Sequence, residues 1–102
     1  MEWKIVQCDY IAEHEGKNKV VNNVHWEVVK TDGEYMGRSY GSVAIPIDDL
    51  SSFVEFDSLN EEAVIAWAKK QLGDEQVEAH EGSVTDQINE QKNPTKGSGV
   101  PW

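Results

Sequence analysis

The chain is poor in cysteine, arginine and proline, and each shortage excludes something. Cys8 is the only cysteine among 102 residues, so neither an internal disulfide nor a cysteine metal site can form. It lies in a strand-like run, where a lone thiol reads as a small buried apolar group. Arg38 is the only arginine, and nine basic residues face nineteen acidic ones, giving a net charge of −10. That balance argues against nucleic-acid binding, which requires Lys and Arg to neutralise phosphates, and against an anionic membrane surface. Solubility, a basic protein partner or imitation of DNA charge remain open to an acidic chain. No stretch approaches the roughly 20 apolar residues of a membrane span. The start, Met1-Glu2-Trp3-Lys4-Ile5, lacks the basic and then apolar run of a secretory leader, so a cytoplasmic origin is expected.

Chemical motifs are missing as well. His14, His25 and His80 fall in three different segments, none with a second His or Cys at ligand spacing. His14 sits between Glu13 and Glu15, but adjacent residues in a loop seldom converge on one ion. No run resembles a phosphate loop, a dinucleotide turn or a nucleophile elbow. Gly97-Ser98-Gly99 is a spacer, with no helix after it to cradle an anion. Among the acidic pairs Asp48-Asp49, Glu61-Glu62 and Asp74-Glu75, the last two suit helix starts, where the macrodipole favours negative charge. The expectation is a protein that is not an enzyme and carries no metal or cofactor.

What is present is a change of period. Residues 1–56 read as strands. Trp3–Ile11 is rich in β-branched and aromatic residues, Glu13–Lys19 reads as a polar loop, and Val20–Lys30 alternates. One face of that second strand carries Val20, Val24, Trp26 and Val28; the other carries Val21, Asn23, His25, Glu27 and Val29. Thr31-Asp32-Gly33-Glu34 supplies a hairpin, with Asp-Gly suited to a turn needing positive φ at both central positions. The third strand runs from Glu34 to Ile45, where Gly37 and Gly41 suggest a bulge or a close backbone contact, and Pro46 closes it. Ile47–Asp57 is a connector, extended around Ser52–Phe56 and pinned by Phe53 and Phe56.

Beyond Asp57 the spacing becomes helical. Ser58-Leu59-Asn60-Glu61 fits a capping box, Val64, Trp67, Ala68 and Leu72 recur on one stripe, and Gly73 is a natural stop. Asp74 is placed to cap a second helix with Val77, Val84 and Ile88 on a thin stripe that Gly82 weakens by about 1 kcal/mol relative to Ala. Asn93-Pro94 ends it. The fold class is therefore α+β: a three-stranded antiparallel meander, two helices and an extended tail. Residues 1–93 form a single domain and residues 94–102 a Pro/Gly tail ending in Trp.

Trp3, Trp26 and Trp67 come from three elements and are expected to share the core. Tyr35 and Tyr40 fall on opposite faces of a regular third strand, so one of them faces solvent or a partner. Val100-Pro101-Trp102 ends a segment without apolar period on the side chain with the largest apolar area. Trp102 has three fates: a disordered terminus, a fold-back onto its own sheet, or insertion into another molecule. Val100, Pro101, Trp102 and Tyr40 are accordingly the candidate partner-binding residues.

The ordered set Trp3-Lys4-Ile5-Val6, Val24-His25-Trp26, Asp32-Gly33-Glu34, Ser39-Tyr40-Gly41, Leu59–Glu62, Val64-Ile65-Ala66-Trp67, Lys92-Asn93-Pro94 and Gly99-Val100-Pro101-Trp102 resembles a group of small proteins of unknown function. They are encoded by tailed bacteriophages, including those of marine cyanobacteria. In plan the chain is also similar to some tail-fibre assembly proteins. The resemblance implies a non-enzymatic structural or assembly protein that binds another phage structural protein of the tail or tail fibre. The sheet and the Pro-Trp tail would make the contact, in the virion or the host cytoplasm. A homo-oligomer is open, since such assemblies are symmetric; nucleic acid and membrane are not expected partners. The alternative rests on charge: an acidic host-takeover protein that mimics DNA through Glu75, Glu78, Glu81, Asp86 and Glu90.

Overall fold

The computed structural model describes residues 1–48, 50, 53–95 and 97–102. Strands β1 (Glu2–His14), β2 (Lys17–Asp32) and β3 (Tyr35–Ala44) form one antiparallel sheet in the order β1-β2-β3. A 3-10 turn at Phe56–Ser58 leads into helices α1 (Glu61–Leu72) and α2 (Asp74–Lys92). The expected α+β meander with two following helices is what the chain adopts.

The first hairpin is longer than its sequence implies. The polar stretch read as a loop is paired, Glu13 with Asn18 and His14 with Lys17. The turn shrinks to Glu15-Gly16, both at positive φ (50° and 79°), the pattern of a type I′ turn whose twist matches the strands. The second hairpin differs in the same direction. Asp32 pairs with Tyr35, so the central residues are Gly33-Glu34 rather than Asp32-Gly33, and only Gly33 has positive φ (63°). That is the type II′ pattern, with glycine in the first central position.

Two irregularities set which side chains are buried. An extra residue, Val6, lies between the pairs Ile5–Trp26 and Gln7–His25, and another, Asn22, between Asp9–Asn23 and Tyr10–Val21. Each extra residue breaks the two-residue alternation. Val21 therefore joins Val24, Trp26 and Val28 in the core, where strict alternation assigns it to the opposite face. The Asn22 carbonyl is not wasted, since it accepts from the Ile45 amide at 2.9 Å.

Both helices cover one face of the sheet. Trp3, Val21, Val24, Trp26 and Val28 meet Val64 and Ala68 of α1 and Val84 of α2, and Ile88 is also buried. Trp3 and Trp26 lie 5.2 Å apart between ring centroids. Trp67 is only half-buried, so two of the three expected core tryptophans are enclosed. Cys8 is half-buried too, rather than enclosed. Helix α1 begins two residues later than the capping box implies: Asn60 is the N-cap and accepts from the Ala63 amide at 2.9 Å. Ser58 falls in the 3-10 turn, and Glu61 reaches the Ile5 amide of the β1 edge instead of its own helix start. Gly73 (φ 85°) ends α1 and also precedes α2, so Asp74 is the first residue of α2 and not its cap.

Helix α2 lies close on β3. A Cβ on Gly37 would collide with the Val84 carbonyl oxygen and sit 3.0 Å from Val84 Cγ1. The pairing of β2 with β3 carries no bulge, so close contact, not irregularity, explains this glycine. From that seat two glutamines one turn apart reach over the strand edge. Gln91 accepts from the Met36 amide (3.3 Å) and donates to its carbonyl (2.7 Å). Gln87 does the same for Arg38, at 3.0 and 2.8 Å. Each side-chain amide thus takes the place of a missing fourth strand and blunts the edge. The next residues of the same outward register, Tyr40 and Ser42, have no such clamp among the described residues.

Gly37→Ala should destabilise the domain by about 1–3 kcal/mol, the usual cost of overpacking, seen as a lower urea midpoint at unchanged slope. Gly82→Ala, on the exposed side of the same helix with open space around it, should raise stability by up to about 1 kcal/mol. Replacing both Gln87 and Gln91 by Leu should cost about 1–3 kcal/mol through four lost hydrogen bonds and speed amide exchange at Met36 and Arg38.

Candidate interaction surfaces

Among the described residues, no helix lies on the second face of the sheet. Register puts His25, Glu27 and Val29 of β2, Arg38, Tyr40 and Ser42 of β3, and Gln7 and Asp9 of β1 on it. Its centre is a polar cluster on Asp9. Asp9 accepts from Gln7 Nε2 (2.7 Å), His25 Nε2 (2.7 Å) and Asn23 Nδ2 (3.1 Å). A carboxylate only accepts, so Nε2 of His25 carries the proton in this contact. The hydrogen bonds from Asn23, Gln7 and His25, in that order, hold the Asp9 carboxyl well below the ordinary carboxylate range, at about 2. On the other side of the sheet, burial pushes the neighbouring Cys8 thiol up, and the Asp9 charge adds to this.

Beside the cluster lies Tyr40. It is 69% exposed, and the Arg38 guanidinium sits 4.7 Å from its ring centroid. Arg38 in turn pairs with Glu27 through Nε at 2.7 Å. The stacked, ion-paired guanidinium restrains the ring without covering it. Val6, pushed outward by its bulge, is also exposed, and with Gln7, His25, Tyr40 and Ser42 it borders a shallow depression of about 410 Å³. Tyr35, on the helix face, is half-buried.

The tail is the second surface. Lys92 pairs with Asp32 at the tip of the β2–β3 hairpin and lowers the Asp32 carboxyl. Beyond Asn93 and Pro94, Thr95 folds back so that its amide (3.0 Å) and hydroxyl (3.0 and 3.1 Å) donate to Glu90. The chain then leaves the domain. Val100 is 70% and Trp102 93% exposed, so the fold-back of Trp102 onto its own sheet does not occur. The molecule measures 69 × 24 × 22 Å, with a radius of gyration of 18.1 Å, against about 13 Å for a compact chain of 100 residues. The candidate residues therefore fall into two separate groups, Tyr40 on the open face and Val100, Pro101 and Trp102 on the tail.

A third surface lies between the connector and α1. A groove of about 320 Å³ is lined by Ile47, Phe53, Val54, Leu59 and Trp67, among others, with the exposed Lys19 and Lys70 beside them. Half-buried Trp67 belongs to this groove. Its signal in sequence is faint, because most of its wall is irregular chain; Asp49, Ser51 and Ser52 of that chain, and Lys96 of the tail, lie outside the described residues.

The remaining candidates stay apart. His80 Nδ1 meets Ser39 Oγ at 2.9 Å, and its ring stands edge-on to Trp26 at 4.6 Å. His14 is at the first hairpin and His25 on the open face, so the three do not converge. Among the described residues no group of three or more His, Cys, Asp and Glu could hold a metal ion, and no helix is long and apolar enough to cross a membrane. Of the five acids proposed as a phosphate-like row, Glu81 is half-buried within 3.5 Å of Trp3 Nε1, and Glu90 holds Thr95.

The Asp9 cluster has a pH signature. Its depressed carboxyl stabilises the fold fully above the ordinary carboxylate value near 3.9, and the contribution is lost as pH falls through about 2. NMR titration of Asp9 should give a midpoint near 2. Asp9→Asn should remove the part of the acid transition between pH 4 and 2 that this group supplies, leaving the neutral-pH spectrum of the domain native.

The chain matches, across residues 1–102, the family described as Domain of unknown function (DUF7936). No curated protein and no solved structure matches it. With the match running across all 102 residues, the chain belongs to the DUF7936 family.

Proposed function

We propose that this is a non-enzymatic binding module of a larger particle, with the uncovered sheet face and the protruding Pro-Trp tail as its contact surfaces. The observation that carries the reading is the placement of large apolar side chains. Val6, Tyr40, Val100 and Trp102 are all exposed. Exposed aromatic anchors on a restrained scaffold are the usual material of binding hot spots. Tyr40 is held by Arg38 rather than left to swing, so little rotamer freedom is lost when it is covered.

Sequence resemblance supplies the setting: a tail or tail-fibre component of a bacteriophage, or a factor in its assembly. The partner surface would be apolar with hydrogen-bonding groups for the Asp9–His25 cluster, and basic in overall charge to suit a chain of −10. Charge mimicry of DNA is the weaker reading, since Glu81 and Glu90 are committed to contacts within the chain.

Mass spectrometry of purified particles of the encoding phage should find the chain at a fixed ratio to the portal protein. Val6→Asp combined with Tyr40→Ser should deplete it from the particles, while thermal unfolding shifts by no more than surface substitutions allow, about 0.5 kcal/mol. Absence of the wild-type chain from particles would remove the structural reading. Undiminished incorporation of the double variant would remove the sheet face as the contact.

A further inference from the structure

We propose that the groove between the connector and α1 receives the Val100-Pro101-Trp102 segment of a second copy of this chain, and that two copies exchange these segments reciprocally about a two-fold axis. The inference deepens the reading of the tail as a docking device by naming what it docks into.

The groove and the tail are complementary in character. The groove is an apolar trough of about 320 Å³ walled by Ile47, Phe53, Val54, Leu59 and Trp67, which is within the size range of sites that enclose a small ligand. Val54 on its wall is 42% exposed among the described residues. The tail offers a valine, a proline ring and an indole, all exposed. Lys19 and Lys70 stand beside the trough, and this protein repeatedly lays lysine over aromatic rings. Lys69 sits 5.1 Å from the Trp3 ring centroid, Lys19 5.3 Å from that of Phe56, and Lys17 5.6 Å from that of Phe53. An indole entering the trough would meet the same kind of cation.

The tail's own groove is out of comfortable reach. Lys70 and Gln71 line the groove and lie just before the start of α2, whereas the tail leaves from the far end of that helix. Thr95 is tied to Glu90, sixteen residues from Asp74, which is about 24 Å along the axis at 1.5 Å per residue. The seven residues after Thr95 span about 24 Å only when fully extended. No length is left to round the helix and enter. A second copy has no such constraint, and a two-fold arrangement satisfies both tails and both grooves at once. Once one arm is seated the second binds at high effective concentration, so two modest insertions give a stable pair.

Charge gives the pair a distinguishing signature. Each copy carries −10, so the copies repel one another at long range, and salt screens that repulsion. Apolar exchange should therefore tighten as salt rises, the reverse of a contact held by opposite charges.

Sedimentation velocity over a concentration series tests this. The full chain should pass from monomer to dimer, with the dimer favoured by 0.5 M over 0.05 M salt. Trp102→Ala and Val54→Asp should each raise the dissociation constant more than about 100-fold, since a hot-spot residue costs about 2 kcal/mol or more and is lost from two arms. Both variants should keep the parent circular dichroism spectrum, as neither residue is in the core. Mixing them should restore a one-armed heterodimer, because the Val54→Asp chain has an intact tail and the Trp102→Ala chain an intact groove. A chain that stays monomeric at every concentration overturns the proposal, including a monomer whose Trp102 emission responds to Val54→Asp, which would mean insertion in its own groove. A dimer untouched by Trp102→Ala overturns it as well, as does a mixture in which the two folded variants associate no more strongly than either does with itself. Such failures leave the particle reading intact, because that reading is tested by Val6 and Tyr40; depletion from particles by those two leaves the exchange intact.

Discussion

Helix α2 can lie on β3 because residue 37 has no side chain. With the Val84 carbonyl oxygen pressed against Gly37, the helix comes near enough for Gln87 and Gln91 to reach past the strand and bond its outer backbone. The same seat brings His80 against Trp26 and Ser39. It also carries Lys92 to Asp32 at the hairpin tip, so the exit of the tail is set by this contact as well. A thin apolar stripe of Val77, Val84 and Ile88 would hold a free helix poorly; paired glutamines and a glycine seat compensate for it.

The arrangement divides the sheet into two unlike sides. One is covered by helices and holds Trp3 and Trp26; the other is a polar lattice anchored on Asp9. Only one buried side-chain polar atom among the described residues lacks a partner, Nε1 of Trp26. An orphaned buried donor costs about 1–3 kcal/mol, and here the edge-on His80 ring is the group packed against that indole. Basic residues are largely committed within the chain: Lys17, Lys19, Lys69 and Arg38 lie over rings, and Lys92 pairs with Asp32. These contacts fix where the positive charges sit without removing them, so the surface carries the net −10 of the chain.

Much of this was legible from residue order. The alternation of Val24, Trp26 and Val28 and the stripe of α1 each specified an element and the face it buries, and the two glycines of the third strand marked a close contact. What was hidden depended on register. A polar stretch such as Glu13–Lys19 is indistinguishable from a loop until His14 is seen opposite Lys17. The bulges at Val6 and Asn22 have no composition signal, yet the one at Asn22 decides that Val21 is inside. Asp9 finds Asn23 and His25 fourteen and sixteen residues away, a meeting that only the bulged pairing defines. Gln87 and Gln91 sit at ordinary helix-surface spacing, so nothing in sequence announces their reach to β3. The tail was visible because composition alone marks it, whereas the groove was not, because irregular chain builds its wall.

The bulge at Val6 has a consequence for how the chain tolerates changes of length. Ile5 pairs with Trp26 and Gln7 with His25, so loss of Val6 alone would join two pairs that are already consecutive on β2. Trp3 and Ile5 would remain inward and Gln7 outward. Loss of Ile5 or of Gln7 would be absorbed in the same way, with Val6 moving into the vacated place, so that Trp3 stays inward and Asp9 outward. The surplus residue is thus slack that lets β1 lose one residue near the bulge without inverting its faces, which a regular strand does not allow.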